Sequence, residues 1–116
     1  MPVILKKQIN ASVSVCLWQI LETEAFFIEN YTLHPEDLSS IQNIKLESRR
    51  LEKWACRAAL AELIGQKSVE IAYSNHGQPL SEHGSISFFH TKDLALVVLS
   101  DHPVGADIEK IGHHIL

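Results

Sequence analysis

The hydrophobic period of the sequence changes at Gly65, and this change limits the folds open to the chain. Before Gly65, apolar side chains recur at helical spacing over residues 44–64, a pattern typical of one long amphipathic helix. Gly65 is placed to end that helix in a left-handed conformation. After it, apolar and polar residues alternate or form short apolar runs, which predict strands. The chain is therefore predicted to be α+β, with an antiparallel sheet packed on one long helix.

Strands and short helices complete this outline. Strands are predicted at residues 12–20, 69–74, 85–91, 93–100 and 104–111, and short helices at 22–31 and 35–41. The short links between the later strands favour antiparallel neighbours. The stretch 94–99 is continuously apolar, so we expect a central strand covered on both faces.

Length, charge and cysteine content restrict the class of protein. With 116 residues, we expect a single domain spanning residues 1–116. The net charge of −4 provides no basic field for nucleic acid. No signal peptide is visible and no apolar run is long enough to span a bilayer, so we expect no membrane partner. The two cysteines have no CxxC partner, which favours free thiols in a reducing compartment, and we expect the protein to be cytoplasmic.

Two carboxylates near the end of the chain, Asp107 and Glu109, stand two residues apart in a strand-like run. Alternate side chains of a strand share a face, and two residues span about 6.5–7 Å, so both carboxylates could bind one hard cation. The same pattern also suits a solvated face of an edge strand.

A histidine and two arginines are the other candidates. His90 ends a strand-like run and shares its face with Ile86 and Phe88, which favours partial burial; it could be a ligand-binding group or a polar residue at the rim of the sheet. Arg50 and Arg57 share a helical face. That face could bind an anion through guanidinium groups, or it could be a solvated charged face with Trp54 in the core. The turn at residues 75–79 could equally be a plain hairpin connection.

These features occur in a recognisable order. The series, over roughly residues 45–111, resembles the N-terminal half of the 4′-phosphopantetheinyl transferase superfamily, of the larger, surfactin-synthetase-activating type. Its parts are Arg50-x3-Trp54-x2-Arg57-x2-Leu60, Leu63-Ile64-Gly65, Tyr73-x3-Gly77-Gln78-Pro79, Ile86-Ser87-x2-His90-Thr91 and Pro103-Val104-Gly105-Ala106-Asp107-Ile108-Glu109.

The resemblance implies an activity, two ligands and a partner. In that family two similar halves form a pseudo-dimer that binds coenzyme A and Mg²⁺ in the cleft between them. The enzyme moves the phosphopantetheine arm of coenzyme A to a serine of an acyl or peptidyl carrier protein.

The resemblance also implies roles for particular residues. Asp107 and Glu109 match the two acids of the family motif G-[VI]-D-[IV]-E. In the family these acids hold Mg²⁺ against the pyrophosphate, so the resemblance implies that Asp107 and Glu109 are the catalytic and metal-binding residues. His90 matches the histidine of I-S-x-S-H-S, which contacts coenzyme A phosphates, and Thr91 keeps the hydroxyl of the serine that follows it.

Two further parts match the coenzyme A-binding elements of the family. Gly77, Gln78 and Pro79 match a G-K-P turn near the nucleotide end of coenzyme A. Arg50, or its neighbour Arg49, and Arg57 fall where family arginines recur on the long helix.

Several departures from the family pattern bear on activity. Phe89 replaces a serine before the histidine, Gln78 replaces the lysine of G-K-P, and Ala106 replaces a branched residue. No counterpart of the family motif W-x-x-K-E-A, which carries the third acid and a lysine, occurs in the sequence. We therefore expect an N-terminal half, present as a truncated chain, a fragment or the product of a half-length gene, and inactive alone.

Two alternatives remain. A non-catalytic half-domain could bind a nucleotide or a carrier protein, or self-associate as a homodimer through the surface that the second half normally covers. A one-domain holo-carrier-protein synthase has a similar length, but its acidic motif lies near the N-terminus, so we rank that interpretation third.

Overall fold

The computed structural model describes residues 3–73, 79–81 and 84–101. Within these ranges the chain forms three helices and eight strands. In chain order they are β1 Val3–Asn10, β2 Val13–Gln19, α1 Glu24–Asn30, β3 Thr32–Leu33, α2 Pro35–Gln42, α3 Glu47–Ile64, β4 Ser68–Val69, β5 Ala72–Tyr73, β6 Pro79–Ser81, β7 Gly84–Thr91 and β8 Leu94–Ser100.

Six of these strands form one antiparallel sheet in the order β1-β2-β8-β7-β6-β5. The short strands β3 and β4 form a separate parallel pair. Helix α3 packs on one face of the large sheet, against β2, β7 and β8. The α+β prediction, with an antiparallel sheet on one long helix, is therefore confirmed.

Helix α3 reaches the sheet through an uninterrupted block of buried residues, 54–61. Small side chains in this block, among them Ala55, Ala58 and Ala59, are fully buried, which lets the helix backbone approach the sheet closely. Trp54 stacks on Phe27 of α1, with ring centroids 6.1 Å apart and planes 12° from parallel. Gly65 ends the helix at φ +72°, the predicted left-handed conformation.

The central position predicted for the apolar strand is confirmed by β8, which lies between β2 and β7. On the α3 face, Val97 joins the main core with Cys16 and Trp18. On the other face, Val98 is fully buried in a smaller cluster with Val13 and Val15. Both faces of β8 are therefore covered.

The long helix begins three residues later than the apolar pattern predicted. Leu46 is the N-cap, with extended backbone at φ −83° and ψ 124°. The carbonyl groups of Ile44 and Lys45 accept hydrogen bonds from Arg50 Nη1 at 2.7 and 3.0 Å. A side chain thus satisfies the two carbonyls just before the helix, and the segment stays outside it.

Two strand predictions need correction. The single strand expected at 69–74 is split: β4 pairs with β3, whereas β5 pairs with β6 in the large sheet. Strand β1 was not predicted, because Lys6, Lys7 and Gln8 interrupt any alternation. These exposed polar residues suit an edge strand, where they discourage pairing with another chain. The strand predicted at 104–111 lies outside the described residues.

The longest helix of the described ranges, α3, has 18 residues and includes buried Arg57 as well as charged residues on its exposed side. No helix in these ranges is long and apolar enough to cross a membrane.

Candidate functional site

His90 lies near the end of β7, where the strand passes under α3. Its Nδ1 is 2.6 Å from Oε2 of Glu52, and the His90 and Glu52 side chains are 26% and 14% exposed. Ile86 and Phe88 lie on the same face of the sheet, the face that α3 covers. Ile86 belongs to the main core, and the Phe88 ring lies against the guanidinium group of Arg57. The predicted shared face and partial burial of His90 are confirmed.

Thr91 follows His90 and lies on the opposite face of β7, because successive side chains of a strand alternate. It is exposed, and its hydroxyl donates a 3.4 Å hydrogen bond to the carbonyl of Lys92. Phe89 is also on that face, with 37% of its surface exposed. The structure therefore does not bring the Thr91 hydroxyl and the His90 ring together on one surface.

Arg50 connects the start of α3 to α1. Its Nε donates to Glu24 Oε2 at 2.9 Å, while Nη1 binds the two carbonyls that precede α3. Both side chains of the pair are about one fifth exposed, at 21% and 23%. The carboxylate and the carbonyls therefore use the Nε and Nη1 donors of the guanidinium group that was predicted to bind a phosphate.

Arg57 is buried and connects three elements. Its Nε and Nη2 each donate to one oxygen of Asp37 on α2 at 2.9 Å, a bidentate pair. Its guanidinium carbon lies 4.7 Å from the centre of the Phe88 ring on β7, within cation–π range. Arg57 thus holds α2, α3 and β7 together.

The remaining predicted site residues lie mostly outside the described ranges. Pro79 is the first residue of β6 and pairs with Tyr73 of β5. Gly77 and Gln78 lie outside the described residues, as do Asp107 and Glu109. Among the residues that are described, no group of three or more His, Cys, Asp or Glu side chains could hold a metal ion. The Mg²⁺ site stays a prediction.

Neither cysteine is placed to act as a nucleophile. Both thiols are free and fully buried. Burial, with a smaller contribution from Glu62, raises the pKa of Cys16 to about 12, and burial raises the pKa of Cys56 to about 11. Because the thiolate is the reactive form, such thiols are inert at neutral pH. The free state of both thiols agrees with the sequence-based prediction.

Sequence analysis did not single out Glu52. Its partner lies on a distant strand, so no local pattern marks the pair.

Comparison with known proteins adds no assignment: no protein-family model matches the chain, and no curated protein matches it.

Proposed function

We propose that the chain is the N-terminal half of a Mg²⁺-dependent 4′-phosphopantetheinyl transferase, which transfers the arm of coenzyme A to a serine of an acyl or peptidyl carrier protein. The observation that carries the proposal is the order of its motifs, from Arg50-x3-Trp54-x2-Arg57 to Gly105-Ala106-Asp107-Ile108-Glu109. Each motif is weak alone, and their common order and spacing give the proposal its weight.

The fold is compatible with this proposal. The long helix α3 and the strand β7, which carries His90, belong to two separate parts of the motif series. They are in contact through Glu52 and Arg57. The His90 ring keeps 26% of its surface exposed, so a ligand can reach it. An imidazolium donates hydrogen bonds that suit phosphate oxygens.

The proposed roles follow from the chemistry of the residue types. Asp107 and Glu109 would hold Mg²⁺, which prefers one or two carboxylates together with phosphate oxygens and water. When bound, the ion supplies charge stabilisation at the pyrophosphate. His90 binds and orients a phosphate of coenzyme A. The turn with Gly77, Gln78 and Pro79 would lie along the coenzyme. Thr91 lies on the opposite face of β7 from His90, so we assign it no contact with the phosphate that His90 binds.

The two arginines have a mainly structural role in this proposal. Arg50 and Arg57 hold α1 and α2 against α3 through Glu24 and Asp37. A phosphate would have to compete with these carboxylates for the guanidinium donors. We therefore assign the main phosphate contact to His90 and a supporting role to the arginines. The setting proposed for the enzyme is the cytoplasm, where coenzyme A and carrier proteins meet.

Calorimetry with coenzyme A tests the proposal. We expect weak binding that is stronger with Mg²⁺ and weaker with added salt, because the contacts are mostly charge on phosphate. His90→Ala should weaken binding with or without Mg²⁺, whereas Asp107→Asn with Glu109→Gln should remove only the Mg²⁺ dependence. Glu70→Gln, which removes an exposed charge elsewhere, is the control. No heat at millimolar coenzyme A, or full binding by His90→Ala, would refute the proposal.

A second candidate is a non-catalytic half-domain that binds a nucleotide or a carrier protein, or self-associates. The observation that favours it is Phe89, an exposed aromatic ring where the family has serine. This candidate predicts that the double acid variant binds coenzyme A as the unaltered chain does, with no response to Mg²⁺ in either.

A further inference from the structure

Glu52 fixes the orientation of His90 from a different element. The carboxylate belongs to α3 and the imidazole to β7, so their 2.6 Å contact joins the helix to the sheet. A ring nitrogen this close to a carboxylate oxygen must carry a proton, since two acceptors would repel each other. Glu52 therefore holds the proton on Nδ1 and determines which edge of the ring faces outward.

The other ring nitrogen is available. Within the part of the chain that the structure describes, no protein atom forms a hydrogen bond with Nε2 of His90. Because Nδ1 faces Glu52 and the ring is partly exposed, Nε2 is the atom that an outside ligand would meet.

The environment of Glu52 shows that this contact is its main polar interaction. The side chain is 14% exposed, and a carboxylate at that depth requires a partner. The described lysines and arginines form no ion pair with Glu52, while the acids Glu24 and Asp37 each have an arginine. Among the described residues, His90 is therefore the charge partner of Glu52.

We propose that Glu52 is a positioning residue that holds the His90 ring so that Nε2–H donates to a phosphate oxygen of the ligand. In the complex Nδ1–H donates a hydrogen bond to Glu52 and Nε2–H donates one to the phosphate oxygen. The ring keeps the two anions on opposite sides. The identity of the ligand as coenzyme A rests on the proposed function, whereas the geometry of the pair does not.

Charge and positioning predict opposite effects of one substitution. Glu52→Gln removes a negative charge near the ligand, which by itself would strengthen anion binding. It also removes the charged acceptor that orients the ring, which would weaken binding. Glu47→Gln removes the same charge from an exposed position in the first turn of the same helix, so it is the matched control.

The probe is inorganic pyrophosphate, and its binding is measured through the NMR signals of the His90 ring. We expect these signals to shift on titration of the unaltered chain and of Glu47→Gln. In Glu52→Gln the dissociation constant should rise about three- to tenfold, the net contribution of about one ordinary hydrogen bond. The neutral ring should carry its proton on Nδ1 in the unaltered chain and redistribute it in Glu52→Gln.

Three outcomes decide the inference. Equal or tighter pyrophosphate binding by Glu52→Gln, or a His90 ring that does not respond in the unaltered chain, overturns it. Should Glu52→Gln not fold, Glu52→Asp keeps the charge but shortens the reach, and an unchanged affinity in that variant overturns the inference as well. If the pyrophosphate results hold but coenzyme A binds no more tightly than pyrophosphate, the positioning role stands and the proposed function fails.

Discussion

Arg57 shows how one residue of the helix motif serves the fold. It is 7% exposed, and its guanidinium group is held by Asp37 on one side and the Phe88 ring on another. A buried charge is tolerated only when it is paired and hydrogen-bonded. Sequence spacing gave no indication that a helical acid 20 positions earlier would pair with Arg57.

The Asp37–Arg57 pair makes a direct stability prediction. Asp37→Asn removes the carboxylate charge that the buried guanidinium contacts through two hydrogen bonds, and we expect the free energy of unfolding to fall by about 3 kcal/mol. Glu36→Gln removes an exposed acid from the same first turn of α2, so any helix-dipole contribution is matched. Urea denaturation of both variants gives the comparison, and equal losses would show that the pair contributes little.

The buried thiols predict how stability varies at alkaline pH. The pKa of Cys16 is raised from 9.0 to about 12 in the folded chain, chiefly by burial. Unfolding restores the lower value, so between these pH values the unfolded chain loses the proton that the folded chain keeps. The contribution is therefore fully present below about pH 9 and is lost as pH rises to about 12.

Cys16→Ala isolates this effect. The difference in unfolding free energy between the unaltered chain and the variant should shrink as pH rises from 9 towards 12. The reason is that the variant lacks the thiol whose pKa differs between the folded and unfolded chain. Lysines and tyrosines titrate in both proteins and cancel in the difference. A difference that stays constant over that range would contradict the shifted pKa of Cys16.

At the scale of the elements, α3 organises the molecule through its charged residues as well as its apolar face. Arg50 contacts α1, Glu52 contacts β7, and Arg57 contacts α2 and β7. The apolar period of the sequence identified the helix, the central strand β8 and the cap at Gly65. It could not identify β1, whose polar residues obscure the alternation, or the division of residues 68–73 between two sheets, because pairing partners are not encoded locally.

Two glycines with positive φ predict different costs for the same substitution. At Gly65, φ is +72° and a Cβ would meet nothing within 4 Å, so Gly65→Ala should cost only backbone strain, about 1 kcal/mol. At Gly84, φ is +135° and a Cβ would overlap the carbonyl of Ser100, so Gly84→Ala should cost about 3 kcal/mol. Denaturation midpoints compare them, and a larger loss at Gly65 would contradict this interpretation of the cap.

At the scale of the whole molecule, the described ranges contain only some of the residues of the proposed site. The described ranges include His90 on β7 and its partner Glu52 on α3. They do not include Gly77, Gln78, Asp107 and Glu109. The resemblance singled out His90 from its position in a motif, and its role stays a prediction. The sequence could not predict Glu52, because the contact depends on how α3 crosses the sheet.

The chain alone is expected to transfer no phosphopantetheine. The proposed reaction would require coenzyme A, Mg²⁺ and a serine hydroxyl in one arrangement, and such positioning can supply about 7–11 kcal/mol. The sequence contributes Asp107 and Glu109 but no K-E-A motif with a third acid and lysine. Mass spectrometry of a carrier protein incubated with the chain, coenzyme A and Mg²⁺ should show no added arm. Appearance of that mass would show that the 116 residues suffice.

The most direct test of the central claim is where a bound metal lies in the presence of coenzyme A. Mn²⁺ accepts the same carboxylate and phosphate ligands as Mg²⁺ and broadens the NMR signals of nearby residues. With coenzyme A present, substoichiometric Mn²⁺ should broaden the amide signals of residues 107–109 and the ring signals of His90, and this should disappear in Asp107→Asn with Glu109→Gln. Broadening that is absent from these residues, or unchanged without coenzyme A, would contradict the proposal.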